Sequence, residues 1–144
     1  MRTWIFQANP KIYEIAAAVR ALKEDTWLVQ QHRNDIRPGD RAYLWESGTG
    51  GGIVAVCEIL DEVADRRENE AAERFILDPL KLGGVQPRVR IRISSIVDPK
   101  LLRRDLQAQP ALRNLSILRQ PQGTNFSVTP EQERTIEELL ADRK

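Results

Sequence analysis

The stretch from Arg41 to Leu60 constrains the fold most. Arg41 to Glu46 is a β-rich run, Ser47 to Gly52 carries four glycines in six residues, and Ile53 to Leu60 is a second β-rich run. Two extended segments joined by a glycine loop make an antiparallel hairpin. A hairpin alone is marginal in water, so further strands and a covering layer are required. Within the first strand Tyr43 and Trp45 are two residues apart and share a face.

The rest of the chain supplies those partners. Thr3 to Ala8 carries Trp4 and Phe6 and reads as a half-buried strand. Asn9-Pro10 predicts a helix start, because Asn caps and Pro suits the first helical position. Ile12, Ile15, Ala16, Val19 and Leu22 then fall on one helical face, and Asp25-Thr26 ends the run. Thr26 to Gln31 reads as a strand and Pro38-Gly39-Asp40 as a turn. Asp61 to Leu77 is charged and weakly patterned, a loop with at most a short helix. Arg88 to Val97 alternates cleanly, with Val89, Ile91 and Ile93 on one side and Arg88, Arg90 and Arg92 on the other. Pro99 to Gln107 reads as helical, and Pro110 to Leu118 as a turn or helix leading into a strand-like piece. Gly123 to Val128 runs from a loop into a short extended stretch. Thr129-Pro130-Glu131-Gln132 is a capping box, and Ile136, Leu139 and Leu140 give the helix that follows its apolar face. The order predicts one α+β domain over residues 1–144, with strands curled into a small barrel.

Composition narrows the function classes. With 41% hydrophobic and 30% charged residues the chain can build an ordered core. No apolar run is long enough to span a bilayer, and the N-terminus lacks a signal-peptide pattern, so a cytoplasmic location and no membrane partner are expected. One cysteine, Cys57, and one histidine, His32, leave no thiol-based or His-rich metal centre to assemble. No metal and no cofactor are expected. The net charge of +1 is unevenly spread: Glu58 to Asp78 is net −5 and Gln86 to Gln120 net +6. The basic segment is either an anion-attracting face or an ordinary solvated one.

No catalytic constellation stands out. The glycine loop enters a strand and no Gly-Lys-Ser/Thr follows, so a nucleotide-hydrolase reading fails. The loop is a hairpin turn needing positive φ, or a place where a flat ligand meets bare backbone. Ser47 has only His32 as a partner and lacks a nucleophile elbow. Cys57 lies in an apolar strand, where an inert core thiol is expected. The tryptophans are more informative. Trp4 belongs to a core strand. Trp27 and Trp45, at the ends of neighbouring strands, are either core residues or two walls that stack on a flat group. Arg88, Arg90 and Arg92, with Arg103 and Arg104 further on, either contact a phosphate backbone or guard an edge strand.

Taken in order, these segments resemble the EVE-domain family, relatives of the YTH and PUA-like folds. Trp4-Ile5-Phe6-Gln7-Ala8-Asn9-Pro10 is similar to the family's opening strand and helix start. Trp27, Val29, Gln31, Ile36, Gly39-Asp40, Tyr43-Leu44-Trp45 and Ser47-Gly48 resemble its central signature. Gly52-Ile53-Val54-Ala55 looks like the strand that follows, and Gly123-Thr124-Asn125-Phe126 like its tail. The resemblance implies a PUA-like mixed β-barrel flanked by helices, and a non-catalytic reader of a modified base in DNA or RNA. It implies Trp27 and Trp45 as the stacking walls of an aromatic cage. It implies Asn9, Ser47 and Gly48 as hydrogen-bonding groups, and Asn125 and Phe126 as residues that close the pocket. The expected mechanism is a base flipped out of its stack, with the basic stretch holding the flanking backbone. The alternative is a binder or sensor of a small planar metabolite or free nucleoside.

Overall fold

The computed structural model describes residues 1–143. Seven strands form one mixed sheet: β1 (Thr3–Ala8), β2 (Glu24–Leu28), β3 (Arg41–Glu46), β4 (Gly52–Ile59), β5 (Ala64–Arg66), β6 (Gln86–Leu102) and β7 (Asn125–Val128). Their order is β2-β6-β4-β3-β1-β7, with β5 also paired to β6. Only β1 and β3 run parallel. The helices are α1 (Ile15–Ala21), α2 (Pro79–Leu82), α3 (Arg103–Gln107), α4 (Ser116–Arg119) and α5 (Pro130–Ala141). The expected α+β architecture, a curled mixed sheet with flanking helices, is what forms.

The hairpin is present, β3 against β4 with a bulge between Leu44 and Trp45. Its loop takes positive φ at Gly48 (93°) and Gly50 (73°), which glycine adopts without steric cost. A β-carbon on Gly52 would lie 2.1 Å from the Leu101 carbonyl oxygen, so the loop's end must be bare for β6 to pass. The 17-residue β6 is the spine: it pairs with β2 and β5 through its first half and with β4 from Ile91 to Leu102, shifting register twice against β4. Such bulges bend a strand and tighten its twist, which curls the sheet.

Several elements differ from the expectation. Asn9-Pro10 does not open a helix. Asn9 caps one turn, its carbonyl accepting from the Ile12 and Tyr13 amides, and Tyr13 then bridges to Ile76. Helix α1 starts only at Ile15, because that distant bridge holds Tyr13 extended. Pro99 to Leu102 continues β6 instead of beginning a helix, since Gly52 and Ile53 pair with Leu102 and Leu101. The segment after Pro110 is a 3-10 turn and α4, with no strand. The acidic stretch holds β5 and a 3-10 helix, Glu70–Phe75.

Alternation gives the sheet two cores. Trp4, Phe6, Ala42, Leu44, Val54, Cys57, Val89 and Ile91 point to the concave side, with Trp27, Val29 and α1. Ile5, Tyr43, Trp45, Ile53 and Leu101 point outward and are covered by Leu106, Leu112, Leu115, Ile117 and Ile136 of the C-terminal helices. The sheet's two outer strands, β2 and β7, do not pair. Side chains tie them together instead: Asn125 Nδ2 donates to the Leu28 carbonyl at 3.0 Å, and its Oδ1 accepts from the Gln30 amide at 2.8 Å. Gln31 Oε1 accepts in return from the amides of Thr124 and Asn125.

Candidate functional site

A cavity of about 560 Å³ opens at this seam, in the size range of small-ligand sites. Its walls come from segments far apart in the chain: Gln7 to Asn9 at the end of β1, Ile12 and Tyr13, Asp25 to Leu28 of β2, Glu68, Leu82, Arg88 of β6, and the strap Pro121 to Thr124. Trp27 forms one wall. Tyr13 stands perpendicular to it, with ring centroids 6.1 Å apart and planes at 86°. Ile12, Ala72, Ile76, Leu28 and Leu82 supply apolar lining.

Polar groups set the deeper surface. Asp25 is buried, its Oδ1 accepting from the Thr26 amide at 2.7 Å and its Oδ2 from the Tyr13 hydroxyl at 2.5 Å. Burial pushes the Asp25 carboxyl up to about 6, against the opposing pull of those two hydrogen bonds and the Arg88 charge. Burial, reinforced by Asp25, pushes the Tyr13 hydroxyl well above its ordinary range. Arg88 is also buried. Its Nε donates to the Arg66 carbonyl at 3.1 Å, and its Nη2 to the carbonyls of Leu82 and Gly84 and to Glu68. Glu68 sits 3.5 Å from that guanidinium and accepts from the Gly84 amide at 2.7 Å. At the rim, Gln7 Nε2 donates to the carbonyls of Pro121 and Gly123, at 2.8 and 2.6 Å, and fastens the strap.

Of the expected pocket residues, Asn9, Trp27 and Ser47 line this cavity. Trp45 does not. It is fully buried in the outer core, because Trp45 and Leu44 alternate and Leu44 takes the concave side. The two indoles lie on opposite faces of the sheet, so they cannot sandwich a ligand. Instead the Arg103 guanidinium sits 5.4 Å from the Trp45 ring. Gly48 is exposed in the hairpin loop, away from the cavity lining. Asn125 locks the seam, and Phe126 packs beneath the strap in the outer core, 3.3 Å from where a β-carbon on Gly123 would stand.

The arginines separate as well. Arg88 is 1% exposed and is a cavity residue, which removes it from any backbone-contacting face. It does alternate with Val89, but β5 and the Glu68–Gly84 region cover its side of the strand. Arg90 pairs with Glu24 at 2.8 Å and Arg92 with Glu58 at 3.8 Å, both exposed. Arg104 is exposed and makes no ion pair among the described residues. Sequence reasoning missed Tyr13, Asp25 and Glu68. The sequence puts Asp25 at a helix stop just before the strand of Trp27, whereas β2 already begins at Glu24 and carries both residues.

A family model described as EVE domain matches residues 2–139. The chain belongs to the EVE-domain family. Among curated proteins, none matches it by sequence. Solved structures match in fold along nearly the whole chain. A hypothetical protein from Leishmania major has a TM-score of 0.74 at 16% identity, covering 99% of this chain and 96% of that one. A protein from Rhodopseudomonas palustris has a TM-score of 0.69 at 17% identity, covering 100% and 96%. Human THYN1, solved in complex with DNA containing 5-methylcytosine, has a TM-score of 0.71 at 14% identity, covering 97% and 98%. At these identities the likeness establishes the fold of this EVE-domain protein.

Proposed function

We propose that this protein is a non-catalytic reader that binds a modified nucleobase in DNA or RNA, flipped into the cavity beside Trp27. The observation that carries the reading is the cavity itself: one indole wall, a perpendicular Tyr13 ring and buried Asp25 and Arg88 at the sheet's open seam. A flat aromatic group fits such a corner, stacking on the indole and meeting polar groups at its edge. The fold's likeness to THYN1, whose structure holds 5-methylcytosine DNA, supports the same kind of ligand. Stacking here uses one indole in place of the two-walled cage that the family resemblance implies.

A second reading, a binder of a free nucleoside or planar metabolite, is favoured by the ion pairs that occupy Arg90 and Arg92. One experiment separates the two. Oligonucleotides with and without a single modified base, and the corresponding free nucleosides, are titrated at several salt concentrations. Preference for the modified oligonucleotide with affinity falling as salt rises supports the polymer reader. Tight nucleoside binding with flat salt dependence supports the small-molecule reading. Equal affinity for modified and unmodified forms sinks the modified-base reading.

A further inference from the structure

We infer that the turn from Leu77 to Val85 is a wedge for double-stranded DNA, with Leu80 entering the base stack at the gap a flipped nucleotide leaves. This inference rests on the cavity being the pocket of a reader and adds how the duplex is held open beside it.

The turn stands out on the surface. Of the five large apolar side chains exposed among the described residues, Leu77, Leu80 and Val85 belong to this one segment, and Leu80 is 97% exposed. Single exposed leucines are ordinary, whereas apolar side chains gathered in one place mark a site of contact.

The segment is also braced. Arg88 Nη2 donates to the carbonyls of Leu82 and Gly84, and Glu68 accepts from the Gly84 amide at 2.7 Å. Gln86 Nε2 donates to the Gly83 carbonyl at 3.0 Å. The Leu77 amide donates to the Ile12 carbonyl at 2.8 Å, and the Gly83 amide to the Pro79 carbonyl at 2.8 Å. A buried ion pair is a costly brace. Here the Arg88–Glu68 pair fixes a turn whose most prominent side chain is left in solvent. Lys81 and Leu82 line the cavity, so Leu80 stands beside its mouth.

Position and charge choose the partner. Residues 79–87 carry one charge, Lys81, and no acid. Asp78 is half-buried at the start of the turn. Lys81 and Lys11, which precedes the Ile12 that anchors Leu77, are exposed and make no ion pair among the described residues. An apolar tip flanked by lysines suits stacked bases running between two phosphate chains. A second copy of the chain seated tip to tip would set Lys81 against Lys81. Flipping a base costs stacking and opens a gap, and leucine is among the side chains that proteins insert between base steps. A turn already held rigid loses little freedom on insertion.

The test uses one DNA strand carrying 5-methylcytosine with 2-aminopurine next to it, alone and in a duplex. Wild-type protein is expected to bind the duplex and brighten the 2-aminopurine, which fluoresces when unstacked. Leu80→Ala is expected to bind the duplex about tenfold more weakly, because the opened step loses its apolar filler, while its affinity for the single strand is unchanged. Leu80→Met is expected to restore duplex binding. Leu80 is exposed, so these variants should keep the fold, which circular dichroism checks. Unchanged duplex affinity in Leu80→Ala overturns the wedge, as does an equal loss on both forms, or binding of the single strand alone; each leaves the reader reading intact. A wild-type mass that doubles with concentration and stays monomeric in Leu80→Ala makes the turn an interface between copies and overturns the wedge too. No preference for the modified over the unmodified oligonucleotide in either form fails the reader reading, and this inference with it.

Discussion

The Tyr13 hydroxyl donates to Asp25 Oδ2 at 2.5 Å, and both residues face the same cavity. This bond softens, without removing, the penalty of a buried carboxylate, so Asp25 titrates at about 6. A carboxyl whose folded pKa is raised contributes stability that is fully present below its unfolded value, near 3.8, and lost as pH climbs through 6. Urea unfolding of wild type between pH 4 and 8 should therefore show a loss from this group of about 2 kcal/mol, because each tenfold change in proton affinity is worth about 1.4 kcal/mol and a little of the effect is already gone at pH 4. Asp25→Asn should flatten that slope. A slope unchanged in the variant would assign the pH dependence to other groups.

The indoles should separate by function. Trp27→Ala is expected to weaken binding of a modified oligonucleotide by about 1–3 kcal/mol, the worth of one base stacked on one ring. Trp45→Phe is expected to leave that affinity unchanged, because Trp45 lies on the other face of the sheet and its Nε1 has no acceptor to lose. Titrations of both variants with one oligonucleotide check this. An affinity loss in a well-folded Trp45→Phe would place Trp45 back in the pocket.

Asn125 carries the seam. Asn125→Ala strips partners from the Leu28 carbonyl and the Gln30 amide, and leaving such groups unpaired costs about 1–3 kcal/mol each when buried. Hydrogen exchange should rise at Gln30, Gln31 and Thr124 before it rises in β3 or β4. Uniform protection across these segments in the variant would show that the seam closes without this side chain.

Arg88 and Glu68 form a buried pair, with side chains 2% and 7% exposed. Removing one partner strands the other, so Arg88→Met should destabilise the fold by about 3–5 kcal/mol, while the double change Arg88→Met with Glu68→Gln recovers part of it. Thermal or urea melts of the single and double variants form the cycle. Full additivity would mean that the two charges do not act as a unit.

The hairpin from Arg41 to Ile59 and the terminal helix are legible in the sequence because their signals are local: alternation, glycine at the turn, and a capping box at Thr129. The Asn9-Pro10 signal is local too, but a bridge from Tyr13 to Ile76 overrides it. The same applies past Pro99, where pairing with Gly52 and Ile53 prolongs β6. The pocket is half legible. Trp27 stands out by residue type. Asp25 reads as a helix stop, and Arg88 as one of an outward stripe, because alternation assigns a face without saying what covers it. Trp45 escapes sequence reasoning on the same ground: the period puts it with Tyr43 correctly, and only the three-dimensional layering shows that their face meets the C-terminal helices.

One sheet with a core on each side insulates two kinds of change from one another. Leu106, Leu112, Leu115, Ile117 and Ile136 can be reshuffled among themselves so long as they fill the space over Tyr43, Trp45 and Ile53. None of them borders the cavity. These five positions, unlike the strap Pro121 to Thr124 that walls the cavity, are where chimeras between relatives could tune solubility or assembly while the ligand preference stays with the concave face.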